Sequence, residues 1–179
     1  MIEDKIKIIN SNIKNMLECK KLKLKKCAIY ELAQTATYRD DEGSAVPLII
    51  TNDGEGKYIF SDDKYIFGCY HKILNKNYSE SKGFGDNKKT VEVAEMILIV
   101  WGFSDKINMN AEQFESKIIM PSMPDDVMLV ASDFDRYRVI SGEFKGFNYE
   151  PKPEEFVFSV RYRVTSKYLR KCRGCNYEI

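Results

Sequence analysis

Hydrophobic residues recur at intervals of three and four positions at the start of the chain, which predicts an amphipathic helix over residues 2–22. Polar residues, mostly lysine and glutamate, occupy the remaining positions. An apolar stripe on one side predicts that this helix packs on a sheet or on a neighbouring subunit. The stripe consists of Ile2, Ile6, Ile9, Ile13, Met16 and Leu17.

Later segments have the patterns of β-strands. In "FVFSVRYRV", a period of two places Phe156, Phe158, Val160, Tyr162 and Val164 on one face, and Ser159, Arg161 and Arg163 on the other. The run from Met96 to Trp101 is continuously hydrophobic, which predicts a strand covered on both faces. Further strands are predicted at "VPLIIT" and at Val127–Val130. Two copies of "KYIF", separated by "SDD", predict two neighbouring strands with a tight connection.

Polar segments separate these elements. Residues 75–89, with Gly83 and Gly85, are predicted to be a projecting loop, and residues 166–179 a C-terminal tail. Asn110 can cap a short helix, "AEQFESKII", that ends at Pro121. We therefore predict one α+β domain over residues 1–179. Its core, residues 24–165, is a mainly antiparallel, twisted sheet on which the N-terminal helix and the short second helix pack.

Composition and charge argue against several classes of function. The 179 residues carry a net charge of +1, from 28 basic and 27 acidic side chains. A charge so close to zero gives no overall attraction to nucleic acid or to an anionic membrane, and it permits close packing of identical copies. No stretch approaches the roughly 18 consecutive apolar residues of a membrane span, and "MIEDKIKIIN" lacks the pattern of a signal peptide. We expect no membrane partner and synthesis in a reducing cytoplasm.

The cysteines raise the question of metal binding. Five cysteines, an odd number, do not predict a disulfide framework, but Cys172 and Cys175 have the C-x-x-C spacing of redox and zinc sites. Redox catalysis needs a helix after the pair, and only four residues follow Cys175. A structural zinc site would need Cys69 and His71 as further ligands. We favour the alternative that Cys69 is a small core residue, that His71 is a strand side chain, that Cys172 and Cys175 lie in a partly exposed tail, and that no metal is bound.

No pattern of residues predicts catalysis. The single histidine, His71, would have to serve any Cys–His pair, and no third orienting group accompanies it. Walker, Rossmann and nucleophile-elbow motifs do not occur in the sequence. Three acidic pairs have turn-like contexts that favour solvated residues over metal ligands: Asp62–Asp63, Asp125–Asp126 and Asp133–Asp135. We predict that the protein is not an enzyme and uses no cofactor.

Arginine and tyrosine alternate at residues 136–138 and 161–163. Rows of arginine and aromatic side chains bind single-stranded nucleic acid, but Tyr137 and Tyr162 would face away from the flanking arginines if both segments are extended. Subunit interfaces favour the same residue types. Both interpretations, a subunit interface and a nucleic-acid-binding module, stay open at this point.

The order of elements resembles that of the small tail-completion or tail-terminator proteins of tailed bacteriophages. The resemblance rests on the opening helix Ile2–Leu22, the strand "VEVAEMILIVWG", the segment "YRVISGEFKG" and the closing "FSVRYRV". It covers most of the chain as a similarity of layout. The long segment "NKNYSESKGFGDNKK" and the cysteine-bearing tail depart from the usual pattern of those proteins.

This resemblance implies a structural virion protein, made in the cytoplasm of a host bacterium, that forms a ring in the head-to-tail connection. The ring is expected to be a hexamer or dodecamer that contacts portal, adaptor or tail proteins, with DNA in its channel as a further candidate contact. The alternative is a small zinc- or nucleic-acid-binding module of a phage or mobile element. The candidate residues for the subunit interface are Tyr78, Phe84, Arg161, Arg163, Arg170, Lys171 and Arg173.

Overall fold

The computed structural model of the chain describes residues 2–59, 65–82 and 88–169. A 3-10 turn, Leu24–Lys26, precedes the first strand, and a π-helical turn, Glu115–Ile119, joins two of the helices. The α-helices are α1 (Ile2–Cys19), α2 (Ser104–Ile107), α3 (Ala111–Phe114), α4 (Met120–Ser122) and α5 (Arg136–Glu143). The strands are β1 (Cys27–Arg39), β2 (Ala45–Thr51), β3 (Gly56–Tyr58), β4 (Phe67–Lys82), β5 (Lys88–Phe103), β6 (Val127–Asp133) and β7 (Glu155–Leu169).

The strands form one seven-stranded sheet in the order β3-β2-β1-β4-β5-β7-β6. The predicted α+β class, with an N-terminal helix and a mostly antiparallel sheet, is confirmed. One pair departs from the prediction, because β1 and β4 run parallel, with Ile29 opposite Cys69. The sheet is therefore mixed.

Helix α1 covers one face of the sheet, as its periodicity predicts. Its four core isoleucines and Leu17 are almost completely buried, and each such side chain contributes roughly 1.5–3 kcal/mol. Beside α1, the segment 104–123 adds Ile107, Phe114 and Ile118 to the same core. None of the helices in the described part of the chain is long and apolar enough to cross a membrane.

Strand β7 has the predicted two faces. Phe156, Phe158, Val160, Tyr162 and Val164 all lie in the core beneath α1. On the opposite face Ser159 is buried, Arg161 is exposed and Arg163 is partly exposed. The neighbouring β5 is buried on both faces from Met96 to Trp101, which confirms the prediction from its continuous hydrophobic run.

A second hydrophobic cluster covers part of the other face. Trp101, Ile99 and Val157 of the sheet pack there with Val139 and Phe144, which belong to α5 and the loop after it. Asp135 caps α5, because its carboxylate accepts hydrogen bonds from the backbone N–H groups of residues 137 and 138. The possibility that residues 136–138 are extended is therefore wrong.

Three further predictions are corrected. Residues 75–82 belong to β4 and residues 88–89 to β5, so most of the expected loop 75–89 is paired strand. Residues 166–169 continue β7 instead of beginning a tail. The two "KYIF" segments are not neighbouring strands, since β3 lies at the sheet edge beside β2, whereas β4 lies between β1 and β5.

Candidate functional site

His71 is the centre of a buried polar network that joins α1 to the sheet. The Tyr162 hydroxyl donates to His71 Nδ1 at 2.6 Å, and His71 Nε2 donates to Asn10 Oδ1 at 2.9 Å. Asn10 Nδ2 in turn donates to the Tyr30 carbonyl oxygen at 3.0 Å. Burial lowers the pKa of His71 to about 3, so the neutral imidazole is the form that the fold favours.

Two of the four candidate zinc ligands, Cys69 and His71, lie on the same face of β4, but His71 is already hydrogen-bonded. Cys69 is fully buried beside His71, and burial raises the pKa of its thiol well above the usual range. Both ring nitrogens of His71 take part in hydrogen bonds, so zinc could bind there only if one of them were broken. Cys172 and Cys175 lie outside the described residues. Within the described ranges, no three His, Cys, Asp or Glu side chains form a group suited to a metal ion.

Two of the predicted interface residues form polar contacts in the part of the sheet built from β4, β5 and β7. The hydroxyl of Tyr78, whose side chain is mainly exposed, donates to Glu92 Oε1 at 3.0 Å. Arg163 Nη2 donates to Glu95 Oε1, directly opposite on β5, at 2.7 Å. Such partly exposed pairs stabilise the fold little, typically by about 0–1 kcal/mol.

Four other predicted interface residues lie outside the part of the chain that the structure describes. They are Phe84, Arg170, Lys171 and Arg173. The structure therefore brings together Tyr78, Arg161 and Arg163 only as members of one sheet, with Arg161 and Arg163 on the face opposite α1.

A cavity of about 450 Å³ lies between α5 and the sheet. This size is within the range of roughly 300–1,000 Å³ that is typical of ligand pockets. Ile97 and Ile99 of β5 and Val139 of α5 supply apolar walls. Its charged and hydroxyl-bearing lining residues are Ser132, Asp133, Arg138, Glu143, Ser159 and Arg161.

The charged side chains of the cavity lining interact with one another and with Lys72. Arg138 donates through Nε and Nη2 to the two carboxylate oxygens of Asp133, each at 2.6 Å, and this holds the pKa of Asp133 below its usual range. Glu143 pairs with Lys72 at 2.8 Å. Arg161 is exposed, and its charge also helps to lower the pKa of Asp133. The two acidic and two basic side chains of the lining therefore leave it without a net formal charge.

Sequence reasoning found Arg161 but missed the cavity, because it did not identify α5. The available signal was Asp135 as a helix N-cap, followed by Val139, Ile140 and Phe144 at helical spacing. We interpreted the aspartates only as turn residues, and one buried pair of side chains is too short a pattern to establish periodicity.

Both edges of the sheet expose apolar side chains. At one edge, on β6, Met128 is 59% exposed and Val130 is 52% exposed. At the other edge, Tyr58 of β3 is 58% exposed, and Ile50 of the adjacent inner strand β2 is also exposed. Unpaired strand edges are templates for pairing with another chain, and apolar residues at them favour contact with protein.

Comparison of the sequence with protein-family models and with curated proteins finds no match.

Proposed function

We propose that the chain is a structural virion protein, without catalytic activity, that forms a hexameric or dodecameric ring in the head-to-tail connection of a tailed phage. Neighbouring portal, adaptor or tail proteins would contact the ring. This assignment follows from the resemblance in layout, and the observation that carries it further is the presence of exposed apolar side chains at both edges of one sheet.

Two different sheet edges favour a head-to-tail contact. The β6 edge presents Met128 and Val130, whereas the opposite side of the sheet presents Tyr58 of the edge strand β3 and Ile50 of the adjacent strand β2. When two unlike surfaces bind each other, the growing assembly keeps one unbound surface of each kind at its two ends. Further copies can therefore add until a ring closes, or a filament forms. An isologous dimer would instead use one surface twice and leave the other exposed.

The net charge of +1 is compatible with this arrangement, because identical copies repel one another little. In addition, Arg136 donates to the carbonyl oxygens of residues 152 and 155, and Arg138 is paired with Asp133. These contacts remove much of the arginine row on which the nucleic-acid-binding alternative depends.

Val130→Glu tests the role of the β6 edge. A charge in an interface core is costly to desolvate, so the variant is expected to assemble at least about tenfold less well than the wild type. Asn15→Glu, which makes the same charge change on the exposed side of α1, is the matched control and should assemble normally. Electron microscopy and light scattering measure the fraction of rings. If Val130→Glu assembles as well as Asn15→Glu, the β6 edge is not a subunit contact.

A further inference from the structure

The connection between α1 and β1 carries the densest run of positive charge in the sequence. Five of its seven residues are lysines, and the nearest acid is Glu18. All five lysine side chains are exposed, and none of them forms an ion pair with another residue of the described chain. These lysines are Lys20, Lys21, Lys23, Lys25 and Lys26.

The connection is held in one shape by its backbone. Lys21, just after α1, adopts a left-handed conformation with φ of 60°, and the N–H of Leu22 donates to a carbonyl oxygen in the last turn of α1 at 3.0 Å. The 3-10 turn Leu24–Lys26 follows, and its last carbonyl oxygen accepts from the N–H of Ile66 at 2.8 Å. Like charges that repel one another are therefore kept together by hydrogen bonds of the fold.

An apolar groove of about 440 Å³ lies among these lysines. Its walls are mainly apolar, because Leu22 and Leu24 line it and the alkyl chains of long basic residues complete it. We call it the lysine groove, and its lining residues are Glu18, Leu22, Lys23, Leu24, Lys25 and Lys26. Apolar walls with an excess of positive charge suit a ligand that has both carboxylates and an apolar side chain.

These features favour a protein over the two other kinds of polyanion. A phosphate backbone has no apolar side chain to place in the groove, and the lining has no aromatic residue on which a base could stack. An anionic membrane would need apolar side chains that are free to insert into lipid, whereas Leu22 and Leu24 pack against the core beneath α1.

We infer that the lysine groove binds an acidic segment of a neighbouring protein, with an apolar side chain of that segment between Leu22 and Leu24 and its carboxylates at Lys23 and Lys25. That the neighbour belongs to the head-to-tail connection rests on the function proposed above. The groove lies at the start of β1, an inner strand between β2 and β4. Copies joined at the sheet edges would therefore leave it open to another protein.

A peptide probe tests the inference on the full-length protein at physiological salt. Fluorescence anisotropy measures binding of labelled EEDLEEFEE and of EEDSEESEE, in which serine replaces both apolar residues. The first peptide should bind at least about tenfold more tightly, because only it can fill the groove. Lys23→Glu/Lys25→Glu should weaken its binding at least about tenfold. Lys7→Glu/Lys145→Glu makes the same charge change at exposed lysines outside the groove and should bind like the wild type.

Several results would overturn the inference. They are no binding of EEDLEEFEE, equal binding of the two peptides, or equal binding by the wild type and Lys23→Glu/Lys25→Glu when circular dichroism shows both to be folded. Tighter binding of duplex DNA, or of vesicles of phosphatidylserine and phosphatidylcholine, would also contradict a protein partner.

Light scattering of the same samples separates this inference from the proposed ring. If Lys23→Glu/Lys25→Glu lowers the mass of the particle, the groove binds a second copy and the inference is wrong. If the wild type stays at the mass of one chain but binds EEDLEEFEE as expected, the ring is wrong and the acidic-partner site stands.

Discussion

Gly68 on β4 lies directly opposite Trp101 on β5, and the indole ring occupies the space that any larger residue at position 68 would need. A Cβ atom at Gly68 would lie 2.0 Å from Trp101 Cζ2. Because Trp101 is buried in the second hydrophobic cluster, the ring has little freedom to move away. Glycine is thus required here by packing and not by backbone conformation.

Gly68→Ala is therefore expected to lower the free energy of unfolding by about 1–3 kcal/mol, as overpacking of a core does. Urea unfolding measures the change. Gly142→Ala on α5 is the control, because nothing lies within 4 Å of its added methyl group, and it should stabilise by about 0.5–1 kcal/mol. In a Trp101→Ala background the cost of Gly68→Ala should fall, and an unchanged cost would contradict the clash.

Trp101→Ala alone should cost about 3–5 kcal/mol, because it leaves a cavity beside Tyr70 and Val157 in the second cluster. The same urea titration gives the value. A loss below about 1 kcal/mol would mean that Trp101 is not packed in this core.

The Tyr162 hydroxyl is expected to stabilise the folded protein through its hydrogen bond to His71. Tyr162→Phe removes the donor to His71 Nδ1 and leaves a buried acceptor unsatisfied, which should cost about 1–3 kcal/mol. Tyr58→Phe removes a hydroxyl from an exposed tyrosine and should change stability by less than about 0.5 kcal/mol. Equal effects of the two substitutions would argue against a stabilising role for the network.

His71 should also make stability depend on pH. Its pKa is about 3 in the folded protein and 6.5 as its ordinary value, so the unfolded chain binds the proton more readily. The contribution of the neutral His71 to the free energy of unfolding is complete above about pH 6.5 and is lost as the pH falls toward 3. Between pH 7.5 and pH 5 the free energy of unfolding should fall by about 2 kcal/mol through this residue. His71→Gln should remove that part of the slope, and an unchanged slope would show that other groups cause it.

The sequence predicted those parts of the fold in which one face is buried and the other solvated. In α1 and β7, the spacing of apolar residues reports directly which side contacts the core. The outer part of β4 gave no such signal, because polar residues such as Asn75, Asn77 and Ser79 are exposed along it. Its strand conformation comes from pairing with β5, which local pattern does not encode.

The order of strands and the candidate sites depend on contacts between distant residues. The parallel pairing of β1 with β4 and the edge position of β3 could not be deduced from neighbouring residues. The sequence identified His71 and Arg161 as candidate residues. It could not show that Asn10 and Tyr162 bond His71, or that α5 packs above Arg161, because these contacts form only in the folded chain.

Replacing Cys172 and Cys175 with serine distinguishes the ring from the zinc alternative. If the pair binds no metal, the double variant should keep the zinc content of the wild type and change stability by no more than about 0.5 kcal/mol. A structural zinc site contributes its binding energy to folding. Loss of one bound zinc together with partial unfolding would therefore revive the metal-binding module.

The mass of the wild-type particle in solution tests the central claim most directly. Light scattering coupled to size exclusion, over a wide range of protein concentration, should give a hexamer or dodecamer of the 20.8 kDa chain. Closed rings should persist on dilution as a single species, because each copy contributes both of its unlike edges. A particle that stays at the mass of one chain, or that stops at a dimer, would contradict the account.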